Sequence, residues 1–412
     1  MSTTEGFVPP SGSGPSGRNG GGSIEVKKIP VAPKPVEKNV FSVIVPVLLV
    51  AAVVGMVAFF VTSGGWGSGG GIGTMLLPIM ALFMVGSMLM MNMQRRAGGE
   101  SPTEMAKEYL GDLDETRDEA NRLAEIQYSI DWSRHPDPSA LASMTRTGRM
   151  WERFESDPTR FLAVRLGVGA TALDVEWKVE ENAREEDLEV VSAMGWRDLL
   201  NNTKEIPNTP RVYSFAAQPG LALFADDRAA AQAVARAAVM QVETWHSPDD
   251  VLVIVISDDR DAWEWTKWSA HSHHPTRKDA IGPIRMLYPT VEAFRADWDS
   301  ELQRRGEFTL PKKGGDSTIP ADPYLFIVGD MGTMNWSSVI PPLGVGRTAF
   351  LDLSSHTDGP MAQTPKTVML LRETKLMVPT RMGGEELFAV EADTATVGTA
   401  HAFGRAISRW RP

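Results

Sequence analysis

The 412-residue sequence contains no cysteine. That absence removes disulfide bridges, thiolate zinc sites, iron–sulfur clusters and a thiol nucleophile together. No GxxxxGK[ST] segment occurs, so no glycine nest followed by a lysine is available to cradle nucleotide phosphates. No Ser/His/Asp set arranged on a nucleophile elbow occurs either. Cations are in deficit, with 41 Lys and Arg against 52 Asp and Glu, a formal charge of −11. Broad nucleic-acid binding is excluded on that balance, because each phosphate contact needs a cation. Between Asn39 and Gln94 there is no Asp, Glu, Lys, Arg or His at all.

That uncharged stretch holds two apolar runs. Val40–Thr62 is about 23 residues and Ile72–Met93 about 22, each long enough to cross a hydrocarbon layer of roughly 30 Å as a helix. A glycine loop, Ser63–Gly71, with Trp66 in it, separates them. Pro46 and Pro78 lie inside the runs, a placement membrane helices tolerate. Lys27, Lys28, Lys34 and Lys38 precede the first run, Arg95 and Arg96 follow the second, and the loop carries no charge. The positive-inside rule therefore predicts an inner-membrane protein with both termini cytoplasmic. The Gly/Ser- and Pro-rich residues 1–38 read as a disordered tail, with at most a brief strand over Ile24–Ile29.

The remainder reads as a stalk and two folded parts. Over Ser101–Ile130, apolar residues recur at helical steps and predict a stalk helix within 95–132, roughly 45 Å long. His135-Pro136-Asp137-Pro138 breaks it. Residues 133–205 are expected to form a small α+β domain, with strands at Phe161–Leu166 and Ala172–Val179 joined through turn glycines Gly167 and Gly169, and a short helix at Trp196–Asn201. From 206 to 412 strands alternate with helices. Leu221–Ala225, Val251–Ser257, Tyr324–Val328, Thr348–Leu353 and Thr367–Leu371 are strand-like, and Arg228–Trp245 is an alanine-rich helix. The predicted class is an α/β fold with a mostly parallel sheet behind a membrane α-hairpin (two transmembrane helices), a helical stalk and the small α+β domain.

The place for a phosphate loop is visible although the loop is not. After Leu221–Ala225 come Asp226, Asp227 and Arg228, where anionic phosphates would otherwise meet a helix N-terminus. Two carboxylates suit that terminus as caps and repel phosphate. Asp330 ends an apolar strand as a magnesium-binding aspartate would, but Met331 follows it in place of a catalytic glutamate. His271, His273 and His274 lack nearby acids at ligand spacing, so a zinc site is not expected. Trp263, Trp265 and Trp268 are read as packing residues, and Lys312-Lys313-Gly314-Gly315 as a surface loop. No catalytic residue and no metal ligand is assigned.

Several local patterns, in order, resemble the EccC family, the FtsK/SpoIIIE-type ATPases of actinobacterial type VII (ESX) secretion. These are the double apolar run, Glu108-Tyr109-Leu110, His135-Pro136-Asp137-Pro138 with Leu141, Arg149-Met150-Trp151-Glu152-Arg153, and Phe161–Gly169 following Asp157. Val190-Val191-Ser192, Leu199-Leu200 and Trp263–Trp268 continue the series to cover residues 40–412. The resemblance implies a membrane anchor, a stalk domain and an ATPase-like domain that has lost its phosphate loop. It implies further modules, absent from this chain, that use ATP and magnesium and recognise Esx-type helical-hairpin substrates. It also implies partners: the membrane subunits EccB, EccD and EccE, and further copies of the chain itself. Pro412 falls where the next module would begin, so the chain is expected to be truncated, partly represented or a split subunit. The competing expectations are a DNA translocase and a membrane-tethered α/β sensor or adaptor without a motor role.

Overall fold

The computed structural model describes residues 22–32, 102–180, 183–309, 322–332, 341, 344–353, 368–380 and 383–410, with isolated positions between 47 and 91. Along the chain run β1 (Gly22–Val26), α1 (Pro102–Arg134), α2 (Leu141–Met144), β2 (Ala163–Ala172), β3 (Val175–Val179), α3 (Val190–Thr203) and β4 (Glu205–Ser214). Next come β5 (Gly220–Ala225), α4 (Arg228–Trp245), β6 (Val251–Ser257), α5 (Arg260–Trp263), β7 (His273–Lys278), β8 (Pro283–Arg285) and β9 (Leu287–Tyr288). The last are α6 (Val291–Arg305), β10 (Tyr324–Asp330), β11 (Thr348–Asp352), β12 (Val368–Arg372), β13 (Lys375–Pro379), β14 (Glu385–Ala389), β15 (Glu391–Ala392) and α7 (Val397–Ile407). The described residues divide into a larger unit (121–175 and 203–410, with Gly22) and a smaller one (23–120 and 176–202).

The larger unit is built on an eight-stranded sheet in the order β14-β13-β12-β5-β11-β10-β6-β9. From β12 to β9 every pairing is parallel, and β13 and β14 add antiparallel strands at one edge. β6 and β10 are buried along their whole length, as continuous apolar strands must be when both sheet faces are covered. Alternation divides their side chains between two cores. Val251, Val253 and Val255 share one core with α4, and Leu252, Ile254 and Ile256 share the other with Phe294, Trp298 and Leu302 of α6. Each such aliphatic side chain contributes roughly 1.5–3 kcal/mol on burial. Small residues at Ala231, Ala235 and Ala238 bring α4 close to the sheet.

A second, antiparallel sheet in the order β15-β2-β4 belongs to the same unit. Gly167 and Gly169 lie inside β2 rather than in a turn. A Cβ on Gly167 would stand 2.2 Å from the carbonyl oxygen of Glu391 in β15, so glycine is there for close backbone approach.

The smaller unit has a two-stranded sheet of β1 and β3, with α3 and the first part of α1. Ile24, Val26 and Ile29 are buried, as are Ala106, Tyr109 and Leu113 on one face of α1. Lys27 Nζ reaches Asp112 of α1 at 2.7 Å. Trp177 of β3 meets Trp196 of α3 edge to face at 5.8 Å. A Cβ on Gly195 would lie 2.6 Å from Leu110, so α3 carries glycine at its closest approach to α1.

Three expectations change. The tail is folded over Gly22–Ala32, because β1 finds a partner strand and Val31 bridges Leu188. Residues 133–205 are not one domain, since β2 joins the larger unit while α3 joins the smaller. The first two strands start later than expected, at Ala163 and Val175, and the helix at Trp196 extends from Val190 to Thr203. Of the two apolar runs, the described positions, among them Val47, Val50, Val54, Met80, Phe83, Met84 and Met91, are helical and exposed. Among the described residues no helix is long and apolar enough to cross a membrane. Lys34, Lys38, Arg95 and Arg96 lie outside them, as do Lys312 to Gly315.

Candidate functional site: a filled strand-end cluster and a helix joint

At the ends of the parallel strands β5, β6 and β10, the cluster expected from the sequence is filled by the protein's own side chains. Asp227 caps α4, its Oδ1 accepting from Ala229 N at 2.9 Å. Asp226 points outward and meets Arg372 at 3.4 Å. Arg228, the first residue of α4, turns onto Asp330 at the end of β10, with Nε donating to Oδ1 at 2.8 Å. Its Nη2 donates to the Asp330 carbonyl at 2.8 Å and also reaches Asp258.

Asp330 is fully buried and held by four side-chain donors. Its Oδ2 accepts from Gln232 Nε2 at 2.9 Å, from Ser257 Oγ at 2.8 Å and from Trp263 Nε1 at 2.8 Å. Three donors therefore share Oδ2 and Arg228 takes Oδ1, so the carboxylate is surrounded by four side-chain donors. Gln232 also donates to Asp259 at 3.1 Å, and that bond, more than any other, holds the Asp259 carboxyl below its ordinary range. Magnesium would need open carboxylate and water positions, and a phosphate would need donor N–H groups with a cation to spare. Neither Mg nor ATP fits this set of residues. Among the described residues no cluster of His, Asp and Glu is arranged for a metal.

Of the four positions read from the sequence, the structure brings Arg228 and Asp330 together and leaves Asp226 and Asp227 at the rim. Gln232, Ser257 and Trp263 were missed as members of the cluster. Gln232 stands one helical turn beyond Arg228, and Ser257 pairs in register with Asp330, but only the neighbouring strand reveals that. Trp263, read as packing, is buried and also donates a hydrogen bond. His271 is buried with its Nε2 at 2.8 Å from the carbonyl of His246, a structural role.

The second constellation lies at the C-terminal end of α1, where the motif residues converge. Helix α1 stops at Arg134 because Pro136 disfavours the helical conformation at His135. Arg153 donates through Nη2 to the Arg134 carbonyl at 2.7 Å and through Nη1 to the Ala163 carbonyl at 2.6 Å. Arg165 of β2 donates to the His135 carbonyl at 3.2 Å and stacks over Trp132 of α1 at 4.6 Å. The same guanidinium pairs with buried Asp393 at 2.9 Å and with Asp137 at 3.4 Å. Burial pushes the Asp393 carboxyl up to about 7, against the pull of Arg165.

This joint also closes the end of α4. The last carbonyls of a helix lack partners within it, and residues 151–153 supply them. Trp151 N donates to Thr244 at 2.9 Å, Arg153 N to Trp245 at 3.0 Å, and Trp151 Nε1 to Glu243 at 3.2 Å. Trp151 takes a left-handed φ of 58° to do so. Arg149 and Arg153 stack on Trp245 at 5.2 and 4.7 Å, placing cations at the negative end of the helix. Gln241 Nε2 donates to the Arg165 carbonyl at 2.7 Å, and Gln241 Oε1 accepts from Arg165 N at 2.9 Å. One side chain thereby fixes α4 to β2.

The geometry defines an α/β domain whose strand-end cluster around Asp330 is filled from within and whose long helix α4 is tied to the C-terminal end of α1. The chain is homologous to the EccC proteins of ESX secretion systems. It is 30% identical over 396 residues to the ESX-5 secretion system protein EccC5 of Mycobacterium marinum, which covers 92% of this chain and 28% of that protein. It is 32% identical over 343 residues to the ESX secretion system protein EccC of Thermomonospora curvata, covering 80% of this chain and 25% of that one. The ESX-3 secretion system protein EccC3 of Mycobacterium tuberculosis is 29% identical over 395 residues, 94% of this chain and 29% of the relative. The chain thus spans less than a third of the length of these relatives. No family model matches. Among solved structures, the cytoplasmic domain of the T. curvata type VII secretion ATPase EccC aligns with 46% of this chain and 25% of its own, at TM-score 0.31 and 13% identity.

Proposed function

We propose that this chain is the membrane-anchoring and coupling part of a type VII secretion motor. The two uncharged runs form a transmembrane hairpin in the inner membrane with both termini cytoplasmic, and Lys34, Lys38, Arg95 and Arg96 set that orientation. The α/β domain acts as a transmission element rather than an engine. ATP and magnesium act in further modules of the kind implied by the greater length of the relatives, and those modules engage Esx-type substrates. EccB, EccD, EccE and further copies of the chain are the partners of the assembly.

The observation that carries this reading is the joint. Arg153 and Arg165 tie the end of α1 to β2, and residues 151–153 with Gln241 tie the same segment to α4, the helix that begins at the Asp330 cluster. A movement imposed on the α/β domain therefore reaches the stalk helix through buried, charge-assisted hydrogen bonds rather than through a loose linker. The engagement of Asp330 by four of the chain's own side chains supports the absence of an engine in this domain.

Membrane fractionation of the full chain tests the anchor. The chain should stay in the pellet after alkaline carbonate extraction, and tags at both ends should resist protease added outside intact cells. Extraction into the soluble fraction, or cleavage of either tag from outside, would contradict it.

A further inference from the structure

Helix α3 of the smaller unit presents an apolar surface that its own packing does not use. Its inner face carries Ser192 and Leu199, both fully buried, and Gly195, which approaches Leu110 of α1. Val190, Val191 and Met194 lie on the other side and are 66%, 52% and 57% exposed. Steps of one, three and four residues put these three side chains next to one another on the helix. Farther along, the outer face turns polar through Arg197, Asp198 and Asn201, all exposed. The apolar patch is confined to the start of the helix.

That start is hydrogen-bonded to the segment leading into the first apolar run. Glu189 N donates to the Pro30 carbonyl at 2.8 Å, Ala32 N donates to the Asp187 carbonyl at 2.8 Å, and Leu188 bridges Val31. Ala32 precedes Val40 by eight residues, which span at most about 28 Å when fully extended. α1 begins at Pro102, nine residues after Met93 at the end of the second run. Both runs therefore hold the patch on short tethers. Most charged groups at this end are engaged within the chain. Arg197 pairs with Glu185, and Arg184 lies 3.6 Å from Glu186. Glu189 accepts from Val191 N at 3.0 Å and from Ser192 N at 2.7 Å.

We propose that Val190, Val191 and Met194 seat in the headgroup boundary of a lipid bilayer, giving the smaller unit a membrane contact besides the spans. The inference rests on the membrane reading of the two apolar runs. Three aliphatic side chains are a weak anchor for a free protein, because interfacial binding scales with the apolar area buried. On a tethered unit the contact is intramolecular, and a short tether makes a weak preference sufficient. With the neighbouring charges engaged, apolar burial rather than headgroup charge drives the contact, and zwitterionic lipid is enough. Through the close approach of α3 to α1 at Gly195, the seat also orients the first turns of α1 against the bilayer.

With no native cysteine, one introduced thiol carries a polarity-sensitive fluorophore without competition. The full chain is reconstituted into phosphatidylcholine vesicles, and thermal denaturation confirms that each variant folds. Headgroup-nitroxide lipid should quench the Val191→Cys probe several-fold more than the Asn201→Cys probe, ten residues and about 15 Å farther along the helix. Adding phosphatidylglycerol or high salt should leave that ratio unchanged, and Met194→Asp should lower it toward one. A Val50→Cys probe in the first run reports the span itself through acyl-chain nitroxide. Quenching at Val50 with equal signals from the Val191 and Asn201 probes would overturn the seat and leave the membrane reading standing. No quenching at Val50 would overturn both. A Val191→Cys probe that is blue-shifted yet unquenched would also overturn the seat, because protein rather than lipid would cover the patch. So would quenching that needs phosphatidylglycerol or ignores Met194→Asp.

Discussion

Asp330 shows how one buried carboxylate can gather donors from two helices and a neighbouring strand. It stands at the end of β10, and Arg228, Gln232, Ser257 and Trp263 all donate to its side chain. Asp330→Ala would leave the buried Trp263 indole without an acceptor, take from Gln232 and Ser257 their shorter hydrogen bonds, and leave Arg228 without its main partner. The expected loss is about 3–5 kcal/mol of stability, read by chemical denaturation. Loss of nucleotide affinity is not expected, since there should be none to lose. Burial sets the pH dependence elsewhere in the larger unit. The Glu243 carboxyl, fully buried near Ser269, is pushed up to about 8, whereas the His246 and His271 rings are pushed down to about 3 and about 4.

The signs of these shifts oppose one another. A buried neutral histidine contributes stability that is present above its unfolded pKa of about 6.5 and lost as pH falls toward the folded value. A buried neutral glutamic acid does the reverse, with full stability below about 4.5 and a loss as pH rises toward its folded pKa. Between these limits the two histidines outweigh the one acid, so the three groups together place the maximum near pH 6.5. Glu243→Gln should flatten the decline between pH 6.5 and 8, where the wild-type slope from this group is about 1.4 kcal/mol per pH unit. An unchanged alkaline limb in a denaturation series would contradict the assignment.

At the scale of elements, the sequence is legible where burial is continuous and obscure where a distant strand decides. Val251–Ser257 could be only a covered strand, and Arg228–Trp245 only a helix with an apolar, small-residue face, and both occur with those bounds. Gly167 and Gly169 looked like turn residues because glycine is the usual punctuation of a turn. Their reason is Glu391 and its neighbours, more than two hundred residues away, which no local pattern contains. The tail strand was obscure for the same reason, since β1 needs β3 to exist. Gly167→Ala should separate β2 from β15 and cost about 1–3 kcal/mol, with loss of hydrogen-exchange protection confined to those strands. Arg165→Ala should cost about 3–5 kcal/mol, because it leaves the buried Asp393 carboxyl without its cation. Removing both partners should be milder than removing Arg165 alone, and equal losses in a double-mutant cycle would dismiss the pair as a structural tie.

For the molecule as a whole, the sequence carries no phosphate loop after Leu221–Ala225, and in the structure Arg228 at that place meets Asp330. The candidate site was half legible. Arg228 and Asp330 were found from strand ends and a helix start, while the donors that close the site come from a helix face, a neighbouring strand and an indole whose role composition cannot reveal. The joint was legible only as a series of motif residues, whose convergence on Trp132, Arg153, Arg165 and Trp245 depends on tertiary packing. The proposed role, a part that transmits motion and does not generate it, rests on the filled cluster around Asp330 and on the end of α1 tied to the same unit. Equilibrium binding of Mg·ATP to the full chain tests that claim most directly. The account predicts no saturable binding at millimolar nucleotide, with or without Arg228→Ala; a micromolar dissociation constant for the unaltered chain would contradict it.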